Sequence, residues 1–423
     1  MRKFVLLMVA MFITLGMAQS VSISYITGNR GQDVEYAKTM AAKYMAIHPE
    51  VEIKIIQGPE SATDRAQQYL QFFEAKSSDV DIFEIDVIWP GDMAEHFIDL
   101  YDYDIYKDAA REFFPAIVEN NTVNGKLVAI PYFTDAGLLF YRTDLLKKYG
   151  FTEAPKTWAE LENIAKVVQE GERAAGNQDF WGYVWQGNAY EGLTCDALEW
   201  VSSSKGGTIV SPAGKISINN ENAISALNMA KSWIGTISPP GVTGFQEEDA
   251  RNIWHAGNAM FMRNWPYAYG LTLDGVVGNN FAVAALPSVE GGKSAATLGG
   301  WQLAVSKYSA HPEAAAGFVH YLASHDGQVS RATIMSNLPT RPAVYQDDVL
   351  LNSDVSFMAA FLPVFKAAVA RPSTATAPNY LQTSKLFFTA VHNVLTGESS
   401  AEDALALLEL DLQDLTGLEI GSQ

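Results

Sequence analysis

Cysteine, basic charge and long apolar runs are all scarce in this sequence. Cys195 is the only cysteine among 423 residues, so no disulfide can form within the chain and no zinc site can be built from several thiolates. With 29 Lys and Arg against 48 Asp and Glu, the formal net charge is −19. A chain of this charge has no net positive field to attract a phosphate backbone, so we expect no nucleic-acid partner.

The one long apolar segment lies at the N-terminus and has the pattern of an export signal. Arg2-Lys3 precedes an apolar run at residues 4–15, and Gly16-Met17-Ala18 then resembles a signal-peptidase cleavage site. The run is shorter than the about 20 residues that a membrane-spanning helix needs, and no cysteine follows it to carry a lipid anchor. We therefore predict a signal peptide at residues 1–18 and a periplasmic or otherwise extracytoplasmic mature protein.

Strand and helix patterns alternate after the signal. Three short runs rich in β-branched residues are separated by two segments with apolar residues at helical spacing, and Ser61 with Asp64 resembles a capping box. This βαβαβ order predicts a parallel sheet with right-handed crossovers and helices on both faces. The predicted elements are a strand at 21–26, a helix at 33–48, a strand at 51–56, a helix at 61–75 and a strand at 80–88.

A second α/β region is predicted from about residue 136 to residue 300. Breaks rich in glycine and proline, such as residues 238–241, separate its elements, and the residues after it have mainly helical patterns. The predicted fold class is therefore α/β, with two such regions in one chain. The predicted elements of this part are helices at 157–170, 221–234 and 249–259 and strands at 281–285 and 302–305.

Motifs of several catalytic and cofactor-binding classes are missing. No GxGxxG motif follows a strand and no GxSxG motif is present, which argues against a dinucleotide site and a nucleophile elbow. The seven histidines and the single cysteine are scattered, so we predict no metal site and no cofactor. Cys195 is expected to be a small buried core residue rather than a nucleophile.

Aromatic residues interleaved with isolated acids, arginines and glycines are present instead. Sugars suit such side chains, because the C–H faces of a pyranose lie on aromatic rings while its hydroxyls bond to carboxylates and guanidinium groups. Any one aromatic residue is nevertheless more often part of a core, so composition alone leaves both interpretations open. The densest clusters are at residues 265–269, 299–301 and 181–190.

Several motifs occur in one order along nearly the whole chain after the signal. The most specific is DAGLLFYRTDLLKKYG at residues 135–150, followed by APKTW at 154–158. Others are FWGYVWQG at 180–187, YEGL at 190–193, RNWPYA at 263–268 and SAATLGGW at 294–301. Together they resemble the extracytoplasmic family 1 sugar-binding proteins of ATP-binding-cassette (ABC) importers, and among these the trehalose/maltose-binding proteins.

The resemblance implies a periplasmic-binding-protein-like fold, with two α/β lobes joined by hinge crossovers around a ligand cleft. The N-terminal lobe would comprise residues 19–134 and about 304–353, and the C-terminal lobe residues 135–303 and about 354–423. The implied function is to bind an α-linked glucose disaccharide, to close the lobes over it and to deliver it to the membrane permease of an ABC importer. The protein would act as a monomer, without a cofactor and without catalysis.

Ligand-binding residues follow from the same resemblance and are of two kinds. The charged groups expected at sugar hydroxyls are Arg65, Asp86, Asp135 and Arg371, and the expected platform for sugar rings consists of Trp265, Tyr267, Gly300 and Trp301. Two further positions match less closely. Asp33 falls near a family glutamate, and Phe133 stands where family members can carry tyrosine, a difference expected to alter sugar preference.

Two other functions stay open at this point. The same fold could bind another solute, such as a different carbohydrate, a polyol or a peptide, because function resides in the cleft. A secreted glycoside hydrolase would need two carboxylates, for which Asp86 and Asp135 are the candidates, and one of them would need a raised pKa. The aromatic clusters favour a sugar ligand, and both aspartates match positions in proteins that only bind.

Overall fold

The structure is a computed structural model and describes residues 20–421. The predicted signal peptide at residues 1–18 lies outside the described residues. No helix within 20–421 is both long and apolar enough to span a membrane.

The strands are β1 (Val21–Thr27), β2 (Val51–Gln57), β3 (Ile82–Asp86), β4 (Thr122–Val123), β5 (Lys126–Leu127), β6 (Ile130–Ala136), β7 (Leu138–Arg142), β8 (Trp181–Val184), β9 (Ala259–Asn264), β10 (Phe281–Ala284), β11 (Leu298–Val305) and β12 (Leu338–Pro339). The α-helices of the first half are α1 (Asp33–Ile47), α2 (Ala62–Glu74), α3 (Pro90–Met93), α4 (Ala109–Glu112), α5 (Pro115–Asn120), α6 (Thr143–Lys148), α7 (Trp158–Ala174) and α8 (Glu191–Ser203). Those of the second half are α9 (Glu221–Trp233), α10 (Glu247–His255), α11 (Ala268–Leu273), α12 (Pro312–Ala323), α13 (His325–Met335), α14 (Asp348–Leu351), α15 (Phe357–Lys366), α16 (Ser373–Thr376), α17 (Tyr380–Thr396) and α18 (Ala401–Thr416).

Six strands form the first sheet, in the order β12-β6-β11-β3-β1-β2. Strand β1 pairs in parallel with both β2 and β3, which confirms the predicted parallel βαβαβ unit. Ser61 accepts the backbone N–H of Asp64 and so starts α2 where the sequence predicts it. Strand β11 runs antiparallel between β3 and β6, so that the end of β3 lies beside the middle of β11.

The second sheet has the order β10-β7-β9-β8. Strands β6 and β7 are separated by Gly137 alone, so one nearly continuous strand passes from the first sheet into the second. The chain returns between β10 and β11. A Cβ at Gly137 would lie 2.1 Å from Oε1 of Glu199 and 2.8 Å from Nη2 of Arg263, so any other residue at this crossing would displace these buried side chains.

Each sheet has its own hydrophobic core, which confirms the predicted two-part α/β fold. One core surrounds β1–β3 and packs α1, α2 and α12 against them. The larger core surrounds β7–β9 and includes apolar residues of α17 and α18. Residues Ala332, Val344 and Leu350 also belong to the larger core, although the predicted division places them in the N-terminal lobe. We call these units the first and the second lobe; their predicted boundaries remain a proposal.

The helix predicted at 249–259 is wrong at both ends. Helix α10 covers Glu247–His255, and Ala259 already belongs to β9. The helix stops because Gly257 has φ +76°, a left-handed conformation that ends a helix. Its earlier start places Glu247 at the first helical position, a detail that matters for the site.

Gly300 has a structural requirement that the sequence alone does not reveal. Its φ is +126°, and a Cβ there would lie 2.6 Å from the carbonyl oxygen of Phe133 and 2.7 Å from Cα of Thr134. The pairing of β11 with β6 shifts register just after it, between Trp301 and Gln302. Glycine at 300 therefore allows β11 to lie close to β6 at an irregularity of the ladder.

We expect Gly300→Ala to lower the free energy of unfolding by about 2 kcal/mol or more, because backbone strain and a backbone clash add. Urea denaturation followed by circular dichroism measures the change. A matched control is Gly244→Ala, since no described atom lies within 4 Å of a Cβ built there. Similar loss in both variants would contradict this account of Gly300.

Candidate functional site

A small cavity lies between the two lobes, at the end of β3 and beside the crossing strands. Its volume is about 20 Å³, which is room for little more than one water molecule. The lobes are therefore closed on each other in this structure. The lining residues are Arg30, Ala62, Asp86, Asp135, Glu191, Gly192, Cys195, Glu247, Trp265, Gly299, Gly300, Trp301 and Arg371.

Arg371 joins carboxylates from both lobes. Its Nη2 donates to Oδ1 of Asp86 at 2.9 Å, and its Nη1 donates to Oε1 of Glu191 at 2.7 Å. Asp86 is the last residue of β3 in the first lobe, whereas Glu191 begins α8 in the second. We call these three residues the Arg371 clamp. All three are buried, so the guanidinium is compensated by the two carboxylates and each carboxylate by the guanidinium.

Glu191 is held in place by its own lobe as well. Its carboxylate accepts hydrogen bonds from the hydroxyls of Tyr380 and Ser384, both at 2.6 Å. Burial raises the pKa of Glu191, and the positive charge of Arg371 opposes that rise. The backbone N–H of Glu191 donates to Oγ1 of Thr63 in the first lobe. The start of α8 is thus a contact point between the lobes.

A second ion pair crosses the cleft between Arg30 and Glu247. Nη1 of Arg30, in the loop after β1, lies 3.4 Å from Oε1 of Glu247. Glu247 also accepts the hydroxyl of Tyr190 at 2.7 Å and Nε1 of Trp265 at 3.3 Å. One carboxylate therefore binds a charge of the opposite lobe and also orients an indole ring that faces the cavity.

The two tryptophans of the cavity are each packed against an arginine. The guanidinium of Arg263 lies 4.0 Å from the ring centre of Trp265, and that of Arg65 lies 4.0 Å from the ring centre of Trp301. Arg30 approaches the ring of Trp301 at 5.4 Å. These contacts fix the rings, which is a condition for using them as a platform.

Asp135 is a buried carboxyl group in the wall of the cavity. Its Oδ1 has no hydrogen-bond partner among the described residues. Burial raises the pKa of Asp135 to about 7, although Arg30 and Arg331 oppose the rise. A Cβ at Gly299 would lie 3.2 Å from Cβ of Asp135, so glycine there keeps the strand close to this carboxyl. Oδ1 of Asp135 is therefore a buried acceptor to which no described residue donates a hydrogen bond.

Six of the residues predicted from the sequence come together at the cavity. They are Asp86, Asp135, Trp265, Gly300, Trp301 and Arg371. Cys195 is buried, as predicted, and it also lies at the cavity wall.

The other four predicted residues lie outside this lining. Arg65 donates Nε and Nη2 to the carbonyl of Pro59, 3.3 and 3.2 Å away, and supports the ring of Trp301. Tyr267 donates its hydroxyl to Glu248 at 2.6 Å and lines a neighbouring cavity.

Asp33 and Phe133 both contact Arg331 rather than the cavity. Asp33 accepts Nη2 of Arg331 at 3.3 Å and the backbone N–H of Arg30 at 3.2 Å, so it supports the loop that carries Arg30. The ring of Phe133 lies 4.1 Å from the Arg331 guanidinium. Both side chains therefore contact Arg331 and do not line the cavity.

Three charged residues of the lining were missed by the sequence analysis: Arg30, Glu191 and Glu247. Glu191 stands within the YEGL motif, which the resemblance already singled out, so a signal for it existed. Glu247 was hidden because the helix was predicted to start two residues later. Arg30 had no signal, since its place depends on how the lobes meet.

A closed cavity that joins two α/β lobes, and that is lined by paired charges and fixed indole rings, defines a two-lobed ligand-binding protein. Residues 28–329 match the family described as bacterial extracellular solute-binding protein. The chain belongs to this family, which confirms the family predicted from the sequence. It is a binding protein rather than an enzyme.

Individual relatives support this assignment. A protein of Deinococcus radiodurans named "Probable ABC transporter-binding protein" is 47% identical over 421 residues, covering 99% of each chain. The solved structure of T. maritima MalE3 with maltose bound is 40% identical, has a TM-score of 0.89, and covers 94% of this chain and 100% of its own. The maltodextrin-binding protein MdxE of Bacillus subtilis is 22% identical over 320 residues, 74% of this chain and 73% of its own.

We expect the stability of the protein to depend on pH through Asp135. Its folded pKa of about 7 lies above the ordinary value of 3.8, so the folded state keeps a proton that the unfolded state releases. The free energy of unfolding therefore falls as pH rises from 4 to 7. Asp135→Asn removes this contribution, which is on the order of 2–4 kcal/mol.

The measurement is urea denaturation of the ligand-free protein at several pH values between 4 and 8. Asp179→Asn, at an exposed aspartate, is the control and is expected to keep the pH dependence of the unsubstituted protein. An unchanged pH dependence in Asp135→Asn would show that this carboxyl is not the titrating group.

Proposed function

We propose that the protein captures an α-linked glucose disaccharide of the maltose or trehalose type and delivers it to the permease of an ABC importer. The observation that carries the proposal is the similarity to maltose-bound MalE3, at 40% identity over nearly the whole chain. The name of the D. radiodurans relative supports the transport role. Export by the predicted signal peptide would place the protein outside the cytoplasm, and we expect it to act as a monomer.

The lining supports a sugar as the ligand. Trp265 and Trp301 offer flat apolar faces for pyranose rings, and each ring is held in position by an arginine packed against it. Carboxylates and guanidinium groups surround the rings and suit hydroxyls, which both donate and accept. Asp135, which lacks a partner within the described chain, would gain a donor from a sugar hydroxyl.

Ligand entry requires the lobes to separate, since a cavity of about 20 Å³ holds no disaccharide. A sugar would then take over donors and acceptors that now bind across the cleft, chiefly those of the Arg371 clamp and the Arg30–Glu247 pair. Because it touches both lobes, it stabilises the closed state by its differential affinity. A closed, loaded protein is the form that a permease could distinguish from an open one.

Another carbohydrate or a polyol is the alternative ligand within this fold. Solved structures of the fold hold tagatose at 21% identity and ribitol at 20% identity, a likeness that concerns the fold alone. The aromatic platform favours a ring over a linear polyol, because only a ring presents a flat C–H face.

We expect maltose or trehalose to bind with a Kd on the order of 1 μM, about 8 kcal/mol, and ribitol to bind much more weakly. Titration calorimetry and intrinsic tryptophan fluorescence measure this, since two indoles face the ligand. Heat and fluorescence changes with ribitol but with neither disaccharide would refute the disaccharide proposal and support the polyol alternative.

Trp265→Ala is expected to weaken disaccharide binding by about 2 kcal/mol or more, roughly 30-fold, because a stacking face is lost. Trp181→Ala is the matched control, since Trp181 is partly exposed and packs on Arg173 outside the cleft. Thermal melting of both ligand-free variants checks that the fold is intact. An affinity in Trp265→Ala equal to that of the control would remove this ring from the site.

A further inference from the structure

The cavity between the lobes is lined by more negative than positive groups. Among the described residues, four carboxyl groups line it and two guanidinium groups face them. When all of these groups are ionised, the lining has an excess of two negative charges. The carboxyl groups are those of Asp86, Asp135, Glu191 and Glu247, and the guanidinium groups are those of Arg30 and Arg371.

The two arginines that pack on the indole rings do not offset this excess, because each has carboxylate partners of its own. Nε of Arg263 lies 2.9 Å from Oδ1 of Asp196, and its Nη2 lies 2.6 Å from Oε1 of Glu199. Nη1 of Arg65 lies 3.7 Å from Oε1 of Glu84. All five groups are buried, so their charges compensate one another locally. The negative excess of the lining therefore remains.

Acidic residues of both lobes also adjoin the cavity. Glu60 precedes α2, whose first residue, Ala62, lines the cavity. Glu248 follows Glu247 in α10 of the second lobe. Burial and the negative charges of Glu248 and Glu247 raise the pKa of Glu60. A cleft with an excess of one sign of charge attracts ligands of the opposite sign, so this arrangement favours a cation.

Asp135 indicates where a cationic group would bind. It lines the cavity and is only 5% exposed, and its Oδ1 accepts no hydrogen bond from a described residue. Burial raises the pKa of Asp135, and Arg30 and Arg331 oppose the rise. Arg30 is ion-paired with Glu247 at 3.4 Å, however, and Arg331 is ion-paired with Asp33 at 3.3 Å. The unpartnered oxygen is independent of the charge count and points to a donor supplied by a ligand.

An ammonium group fits both observations better than a hydroxyl does. It carries a positive charge and three N–H donors. Its hydrogen bond to a carboxylate is charge-assisted and about twice as strong as a bond between neutral groups. An amino group that replaces one hydroxyl of a sugar has a similar size, so a cleft that admits a disaccharide also admits its amino derivative.

We propose that the cleft selects amino sugars: it binds an α-linked glucose disaccharide with a protonated amino group more tightly than the neutral parent sugar, and Asp135 pairs with the ammonium group. This inference rests on the proposed function, because it assigns a narrower class of ligand to the same cleft. Asp135 would then determine specificity through its charge, in addition to accepting a hydrogen bond.

The test compares the parent disaccharide with its amino derivatives by titration calorimetry at pH 7, where an amino group is largely protonated. The parent is trehalose or maltose, whichever the protein binds more tightly. The derivatives carry an amino group in place of the hydroxyl at carbon 2 or at carbon 6 of one glucose unit.

Three full-length proteins are compared: the unsubstituted protein, Asp135→Asn and Asp179→Asn. Asp179 is exposed and does not line the cavity, so this control removes the same charge at a position outside the site. Thermal melting confirms that each variant is folded. If Asp135→Asn binds no sugar, Asp135→Ser, with a smaller neutral side chain, takes its place.

In the unsubstituted protein we expect at least one amino derivative to bind about tenfold or more tightly than the parent. In Asp135→Asn this preference should fall to about twofold or less, because the ammonium group loses its opposite charge. Asp179→Asn should keep the preference of the unsubstituted protein. This pattern would assign the ammonium group to Asp135.

Three results would overturn the inference while leaving the proposed function intact. They are a parent sugar that binds the unsubstituted protein at least as tightly as both derivatives, a preference for the amine that persists without the Asp135 carboxylate, and an equal loss of that preference in Asp179→Asn. If neither trehalose nor maltose binds, the derivatives of both are tested. Binding of one would support the amino-sugar class against the neutral disaccharide, and binding of none would refute both proposals.

Discussion

The closed state of this protein depends on a positive charge buried between carboxylates of two different lobes. Removing a guanidinium from water costs several kcal/mol unless opposite charges and hydrogen bonds compensate it. Arg371 obtains that compensation only when Asp86 and Glu191 lie within reach at once, which means only when the lobes are together. The Arg30–Glu247 pair repeats this arrangement at another point of the cleft. Opening therefore separates paired charges, and water or a polar ligand has to replace the lost partners.

Asp135 shows that a strongly raised pKa at a site does not by itself indicate catalysis. Burial brings its pKa to about 7, as a general acid of a glycoside hydrolase would require. The family is one of binding proteins, and Asp86, the second carboxylate that such chemistry would need, is engaged by Arg371. A buried acceptor that lacks a donor suits a protein that only binds. A ligand hydroxyl supplies the missing hydrogen bond to this acceptor on binding.

The sequence predicted the first lobe well, because its signals are local. Strands β1–β3, helices α1 and α2 and the place of Asp86 at a strand end all follow from periodicity and capping over a few residues. Motif resemblance then indicated which side chains belong near the cleft. It could not show ring contacts such as that of Arg65, which was expected at the sugar and packs 4.0 Å from the ring centre of Trp301. Arg30 and Glu247 escaped prediction because they meet only after two distant segments fold.

The single glycine between β6 and β7 has a wider consequence. Above Gly137 lie Glu199 and Arg263, and Arg263 in turn supports the indole of Trp265. The strand that links the lobes and one aromatic ring of the cavity thus contact the same pair of side chains. A substitution that displaces Glu199 or Arg263 would therefore act on the linking strand and on a ring of the cavity at the same time. Evolution could then change the affinity for the ligand without a substitution at any residue that lines the cavity.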